Sequence, residues 1–225
     1  MKYRILFIDE EKDTLDDFLD YIDNSSQKGS IEALVELPAR SLNLMIDTII
    51  KLNVDAIITD FKLNDSKEHI SYNVPYNGSE LVHSFQNIRE FFPCFVMTAF
   101  DDLAVSKSED VNIVYIKNIL YSNNDSKAKA QFLDRVIAQT NHYKSRIRQA
   151  EIDLCRLLDI RKSGKASIKD EKKLIELDQF LEKSIDKRQT IPEEFKALSN
   201  TNKLSNLMNK IDKLLDKFKT DDNEV

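Results

Sequence analysis

The chain has 225 residues, of which 41% are hydrophobic and 32% are charged, and its formal net charge is -6. A chain of this length exceeds the usual size of a single domain, so one domain of ordinary size and a smaller region are expected. The sequence has no apolar run long enough for a membrane-spanning helix, and its start, MKYRILFIDEE, turns acidic too early for a secretory signal peptide, so we expect a cytoplasmic protein.

Charge is distributed unevenly along the chain. Residues 1–140 contain 14 basic and 23 acidic residues, a balance of -9, whereas residues 141–225 contain 19 and 16, a balance of +3. Regions with different charge balance and different hydrophobic patterns are usually different structural units. The sequence therefore predicts two regions that meet near residue 140.

The first region alternates between strand-like and helix-like hydrophobic patterns. Short apolar runs typical of buried strands occur at Tyr3–Ile8, Ile31–Leu37, Val54–Thr59, Cys94–Thr98 and Val111–Ile116. Helical spacing of apolar residues occurs at Lys12–Ile22, Ser41–Leu52 and Ser79–Phe92, and again at Leu133, Val136 and Ile137. Repeated strand-helix units of this length predict an α/β domain at 1–140, with a five-stranded parallel sheet covered by helices on both faces.

Polar side chains follow four of the predicted strands, at the point where each strand ends. They are the acidic run Asp9–Glu11, then Asp60, Thr98 and Lys117. In an open parallel sheet, the crevice outside the carboxyl ends of the strands is the ligand site. Crowded carboxylates repel one another unless a cation joins them, and oxygen ligands favour Mg²⁺. A metal, an amine and a hydroxyl around one carboxylate would stabilise a phosphoryl group on it, which would make Asp60 a nucleophile.

Each of these residues also has a simpler interpretation. Asp60 could cap a turn or a helix, and Lys117 could be a surface lysine. The acidic run could stabilise the positive N-terminus of the helix that follows it. The simpler interpretations account for each residue separately, but not for the occurrence of the acids, the hydroxyl and the amine together at the strand ends.

These residues resemble the receiver domains of response regulators in two-component signalling, over residues 2 to about 140. The similar segments, in chain order, are ILFIDEE, TDFKL, NGSELV, VMTA and IKN. The resemblance implies a flavodoxin-like fold and the transfer of a phosphoryl group from a histidine kinase or phosphotransfer protein to Asp60.

The resemblance also implies a role for each of the polar residues at the strand ends. Glu10, Asp60 and the backbone carbonyl of Lys62 would hold Mg²⁺, with support from Asp9. The phosphoryl oxygens would be bound by Thr98 and Lys117.

The sequence departs from the family pattern at four side chains. Glu10 stands where aspartate is usual, and Asn64 and Asn118 stand where proline is frequent. Val114 occupies the position of the family's switch aromatic, and Tyr115 follows it on the opposite face of the strand. These departures affect the expected metal ligands and the expected path of signal output.

The connection after Asp60 is longer than the family pattern requires, by about ten residues, which lie within residues 65–76. This insertion borders the predicted site. Long loops in compact domains are often lids or partner contacts, so the insertion is a candidate for either role.

The second region has a helical pattern throughout. From Leu133 the apolar stripe continues to Leu158, RKSGKAS follows as a turn, and Ile168–Lys187 has helical spacing again. Another helix is predicted to start near Pro192, with a stripe that extends to about residue 219. Narrow apolar stripes joined by short turns predict an all-α helical hairpin or a small coiled-coil bundle.

The helical region carries no pattern of a catalytic or nucleic-acid-binding domain. Its mixed charges argue against DNA binding, and it lacks a glycine-rich phosphate loop or a Ser/Cys-His set that would make it an enzyme. We therefore expect a phosphorylatable receiver whose helices associate with one another or with a protein partner. Two alternatives stay open: an interaction module that no longer responds to phosphate, suggested by the departures at Glu10, Val114 and Asn118, and a DNA-binding regulator.

Overall fold

The structure is a computed structural model that describes residues 2–65, 68–99, 114–120, 131–192 and 196. The chain divides into two compact units, Met1–Arg148 and Gln149–Val225. Three predicted features lie outside the described residues: the start of the fifth strand at residues 111–113, the side chain of Asn118, and the helix expected after Pro192.

One five-stranded parallel sheet organises the first unit. Its strands are β1 Tyr3–Ile8, β2 Ile31–Glu36, β3 Ala56–Asp60, β4 Cys94–Thr98 and β5 Val114–Ile116. They lie in the order β2-β1-β3-β4-β5, and every neighbouring pair is parallel. This order is the flavodoxin-like topology, so the predicted fold class is confirmed.

Five α-helices are described along the chain. They are α1 Lys12–Asp23, α2 Leu42–Leu52, α3 Gly78–Gln86, α4 Phe132–Lys162 and α5 Ile168–Asp186. Short 3-10 turns follow β5 at Lys117–Leu120 and follow α5 at Lys187–Gln189.

Two hydrophobic clusters cover the two faces of the sheet. Successive residues of a strand point to opposite faces, and β1 shows this directly. Leu6 and Ile8 lie in a cluster with buried residues of α2 and α3, whereas Ile5 and Phe7 lie in a cluster with buried residues of α1 and the first turns of α4. Burial on both faces explains why the central strands consist mainly of apolar residues on both faces.

Helix α3 is shorter than the sequence pattern predicts. The pattern extends to Phe92, but the helix ends at Gln86. Pro93 disfavours a helical conformation in the residue before it, and Phe91 adopts a left-handed backbone conformation with φ of 63°. Phe92 is nevertheless buried, so the apolar spacing continues beyond the end of the helix.

The described part of the second unit is helical, which confirms the predicted helical extension. Helix α4 continues without interruption from the first unit into the second and ends at Lys162. A turn follows in which Gly164 has a left-handed φ of 72°. Helix α5 then begins with a capping box between Ser167 and Asp170. Among the described helices, none combines the length and the apolarity that crossing a membrane requires.

Candidate functional site

Residues at the carboxyl ends of the strands form a buried polar group at one edge of the sheet. Asp9 follows β1, Asp60 ends β3 and Thr98 ends β4. The exposed fractions of these residues are 0%, 6% and 3%. Buried charges in proteins are normally paired, so the partners of the two aspartates determine what this edge can do.

The ammonium group of Lys117 lies between the two buried aspartates. Lys117 Nζ is 2.7 Å from Asp9 Oδ2 and 3.0 Å from Asp60 Oδ1. Only 13% of the lysine side chain is exposed. The structure therefore brings together three of the residues that the sequence analysis selected, although they are far apart along the chain.

The remaining oxygens of the two aspartates are oriented by backbone amides. Lys62 N donates a hydrogen bond of 3.1 Å to Asp60 Oδ2, and Glu11 N donates one of 3.0 Å to Asp9 Oδ1. Each carboxylate is thus fixed by a backbone N–H on one oxygen and by the Lys117 ammonium on the other. Such hydrogen bonds preorganise the carboxylates before any ligand arrives.

Burial makes this pair of carboxylates difficult to ionise. It raises the pKa of Asp60 to about 7; the Lys117 charge acts in the opposite direction, and the Asp9 charge adds to the rise. The pKa of Asp9 is raised as well, mainly by burial. Burial alone would lower the pKa of Lys117, but attraction to Asp60 and Asp9 outweighs it and the pKa is raised. Two carboxylates share one ammonium, so additional positive charge would stabilise the site.

Glu10 is also buried, with an exposed fraction of 4%, and contacts the connection that follows β3. Its Oε1 accepts a hydrogen bond of 2.9 Å from Asp65 N. The side chain of Lys62 forms an ion pair with the carboxylate of Asp65 in the same connection. The Lys62 side chain thus contributes a positive charge to the connection after β3.

The chemistry of the donors suits Mg²⁺, which prefers carboxylate and carbonyl oxygens. No three His, Cys, Asp or Glu side chains within the described residues are grouped so that they could hold a metal ion. The metal residues expected from the sequence include three such side chains, with Glu10 and Asp60 as ligands beside the backbone carbonyl of Lys62 and Asp9 in support, and these three do not form such a group. Mg²⁺ at this site stays a prediction, supported by the excess of buried carboxylates.

Gly78 contributes to the site through its lack of a side chain. A Cβ atom at this position would lie 2.0 Å from the carbonyl oxygen of Asp60 and 3.0 Å from Thr59 Cγ2. Gly78 N also donates a hydrogen bond of 2.9 Å to the carbonyl oxygen of Phe61. The first residue of α3 is thus packed directly against the end of β3. Gly78 lies in the segment NGSELV, and the sequence alone does not reveal this close approach.

The connection from Asn64 to Asn77, which we name the strap, contains the predicted insertion. Ser66 and Lys67 within it lie outside the described residues. The strap has buried residues of its own, which belong to the same cluster as α2 and α3: Ile70, Val74 and Tyr76. The described residues of the strap are therefore packed on the domain, through contacts that the sequence did not show.

The aromatic residue of β5 lies on the face predicted for it. The ring centroid of Tyr115 is 4.8 Å from that of Phe132 and 6.0 Å from that of Phe95. Val114 packs against the cluster on the other face of the sheet. Because successive strand residues point to opposite faces, Tyr115 does not replace the aromatic residue that the family pattern has at position 114.

Comparison with known proteins gives likenesses in structure only. No family model matches the chain, and no curated protein matches it. The chain is similar to the non-phosphorylated receiver domain of the stress response regulator RcsB from Escherichia coli, with 14% identity, a TM-score of 0.38, and coverage of 52% of this chain and 83% of that one. It is also similar to the anti-anti-sigma factor PhyR from Bartonella quintana, with 13% identity, a TM-score of 0.42, and coverage of 67% and 52%.

A third similar structure is RcsB from Salmonella enterica serovar Typhimurium bound to promoter rprA, with 14% identity, a TM-score of 0.38, and coverage of 91% of this chain and 92% of that one. The parallel order β2-β1-β3-β4-β5 agrees with the resemblance found in the sequence. The first unit has a receiver-like fold. A helical region follows it in the chain.

Proposed function

We propose that this protein is a response regulator that accepts a phosphoryl group on Asp60. The observation that carries the proposal is the position of Lys117 Nζ, within 3.0 Å of Asp60 Oδ1 and 2.7 Å of Asp9 Oδ2 in a buried site. A fixed ammonium beside a carboxylate is suited to stabilising the charge of an attached phosphoryl group. The donor would be a histidine kinase or a phosphotransfer protein.

The transfer exchanges one bond to phosphorus for another. A carboxylate oxygen of Asp60 forms a bond to phosphorus, the bond between phosphorus and the donor's imidazole nitrogen breaks, and the departing imidazole takes up a proton from solvent. Lys117 would bind a phosphoryl oxygen, and the hydroxyl of Thr98 at the end of β4 would bind another. Bound Mg²⁺, held by Glu10, Asp60 and the Lys62 carbonyl, would supply neutralising charge.

The chemistry of the protein would be limited to gaining and losing this phosphoryl group, and the helical region would carry the output. The support for output through association is the exposure of isoleucines on the described helices. Ile168 is 88% exposed, Ile185 is 69% exposed and Ile152 is 55% exposed. Apolar residues on amphipathic helices can pack against another helix in a coiled coil, which here would be a second copy of the chain or a partner helix.

Mass spectrometry after incubation with a small phosphodonor and Mg²⁺ tests the phosphoacceptor role. We expect one phosphoryl adduct on the wild-type protein and none on Asp60→Asn. An equal adduct on Asp60→Asn, or no adduct on the wild-type protein with either a small donor or a phosphorylated histidine donor, would contradict the proposal.

A second candidate function is an interaction module that does not respond to phosphate. It is favoured by Tyr115, whose ring packs in an aromatic cluster with Phe95 and Phe132, and by Val114 at the position of the switch aromatic. Light scattering with and without beryllofluoride, which mimics the phosphoryl group, separates the two. A change in mass on addition of beryllofluoride supports the response regulator, and an unchanged mass together with unchanged partner binding supports the constitutive module.

We predict that DNA binding by the helical region is less favoured than protein association, because its charges are mixed and its balance is only +3. Titration of the full chain with duplex DNA at several salt concentrations tests this prediction. Salt-dependent binding would overturn it and would assign the output to nucleic acid.

A further inference from the structure

The side chain of Asn64, at the start of the strap, forms hydrogen bonds with residues near the end of the strap. Asn64 Oδ1 accepts a hydrogen bond of 2.9 Å from Val74 N, and Asn64 Nδ2 donates one of 3.0 Å to Asn73 Oδ1. A single amide thus joins two points of the chain that are ten residues apart. Asparagine is suited to this task because its side chain both accepts and donates hydrogen bonds.

The strap is also fixed by contacts of its described residues 70–76. Ile70, Val74 and Tyr76 are 1%, 2% and 6% exposed. The hydroxyl of Tyr76 donates a hydrogen bond of 2.9 Å to the carbonyl oxygen of Ala39, and that of Tyr72 donates one of 2.7 Å to the carbonyl oxygen of Pro38. The buried apolar side chains fix the backbone of the strap on the domain. The backbone can therefore hold in place a side chain that it contacts.

What the strap contacts at the site is Glu10. Asp65, the residue immediately after Asn64, donates its backbone N–H to Glu10 Oε1 at 2.9 Å. Glutamate is longer than the usual aspartate by one methylene, and the additional rotatable bond gives its carboxylate more orientations. The hydrogen bond from Asp65 N selects among these orientations.

We propose that Asn64 is a positioning residue for Glu10: by closing the strap, it holds Asp65 N where it orients the longer carboxylate for Mg²⁺. The inference rests on the proposed function, since it assigns a role at the same site. Asn64 and Glu10 both depart from the family pattern, and the inference connects them, because Asn64 would orient the longer side chain of Glu10. Groups that orient metal ligands without contacting the metal typically affect affinity strongly.

A double-mutant cycle on Mg²⁺ binding tests this inference. Mg²⁺ affinity of the full chain is measured by isothermal titration calorimetry for the wild type, Asn64→Ala, Glu10→Asp and the double variant. We expect Asn64→Ala to weaken Mg²⁺ binding roughly tenfold in the wild-type background, by loss of the oriented ligand. In the Glu10→Asp background, the same substitution should change affinity by less than about twofold, because the shorter carboxylate does not depend on the strap.

Two further variants separate positioning from general loss of structure. Asn73→Ala removes one of the two hydrogen bonds of Asn64 and should have an intermediate effect on Mg²⁺ affinity. Asn87→Ala is the matched control, because this asparagine makes an exposed hydrogen bond to His83 and should leave affinity unchanged. Thermal unfolding in EDTA reports stability for every variant without the metal.

The possible results distinguish this inference from the proposed function. Equal losses from Asn64→Ala in the wild-type and Glu10→Asp backgrounds would overturn the positioning role while leaving the phosphoacceptor role intact. Loss of affinity that follows the drop in unfolding temperature across all variants, Asn87→Ala included, would overturn it as well. A wild-type protein that binds no Mg²⁺ would overturn both.

Discussion

The charges of the sheet edge and those of the second unit are paired in different ways. Lys117 lies between two buried aspartates and is itself 13% exposed on its side chain. The ion pair of Lys173 and Glu176 on α5 has side chains that are 60% and 46% exposed. Water screens the exposed pair, so it contributes little, whereas the buried group depends entirely on its protein partners. A buried charge in this protein is therefore expected to depend on its partners more than an exposed one, and the sequence alone does not give burial.

Replacement of the lysine in each of the two regions is expected to show the largest difference in the free energy of unfolding. Lys117→Met leaves two buried carboxylates without their cation, and it should lower the free energy of unfolding by roughly 4 kcal/mol at neutral pH. Lys173→Met should change it by less than about 0.5 kcal/mol. Denaturant unfolding of both variants measures the difference. Similar small effects of the two substitutions would mean that the site is hydrated and that the comparison is wrong.

Substitution of glycines compares the site with a surface turn. Gly78→Ala places a methyl group against the carbonyl of Asp60, so the backbone must shift, and we expect a loss of roughly 3 kcal/mol of stability. A Cβ at Gly29 meets no atom within 4 Å, so Gly29→Ala should leave stability nearly unchanged. Thermal and denaturant unfolding provide the measurement, and an equally stable Gly78→Ala protein would contradict the close approach of α3 to β3.

Asp60→Asn is expected to have a smaller and pH-dependent effect. The pKa of Asp60 is raised from 3.8 to about 7 in the folded protein, mainly by burial, so the folded state binds more protons than the unfolded state between these values. Its contribution to stability is therefore present below about pH 4 and is lost as the pH rises through about 7. In EDTA at pH 8, Asp60→Asn should be more stable than the wild type by roughly 1 to 2 kcal/mol.

Denaturant unfolding from pH 4 to pH 8 measures this dependence. The wild-type stability should fall relative to that of Asp60→Asn across the range, and the two should converge at the acidic end. A constant difference would show that Asp60 ionises normally in the fold. Asp159→Asn on the second unit serves as the exposed control, because its carboxylate and the Lys162 side chain that it pairs with are both 78% exposed.

Much of the fold could be predicted from local patterns. Each strand of the first unit is a short apolar run, and parallel strands place their carboxyl ends at one edge, so Asp9, Asp60 and Lys117 could be grouped without coordinates. The length of α3 could not be predicted in this way, because Phe92 continues the apolar spacing although the helix already ends at Gln86. A buried side chain after a helix looks like a helical residue in a periodicity analysis.

The parts that the sequence could not predict depend on contacts between distant residues. The strap conformation depends on Tyr72 and Tyr76 meeting the carbonyls of Pro38 and Ala39, and no local pattern specifies such a contact. The role of Gly78 depends on the packing of α3 against β3. Motif comparison cannot predict the hydrogen bond from Asp65 to Glu10, because these two residues are also distant in the sequence.

The aromatic contact of Tyr115 on β5 connects the segment that carries Lys117 to helix α4. Lys117 comes two residues after Tyr115, and the Tyr115 ring rests 4.8 Å from that of Phe132, the first residue of α4. A tightly packed pair of rings resists separation, since interiors of this kind deform little. We therefore expect a displacement of the chain at Lys117 to shift the first turn of α4 through this ring contact.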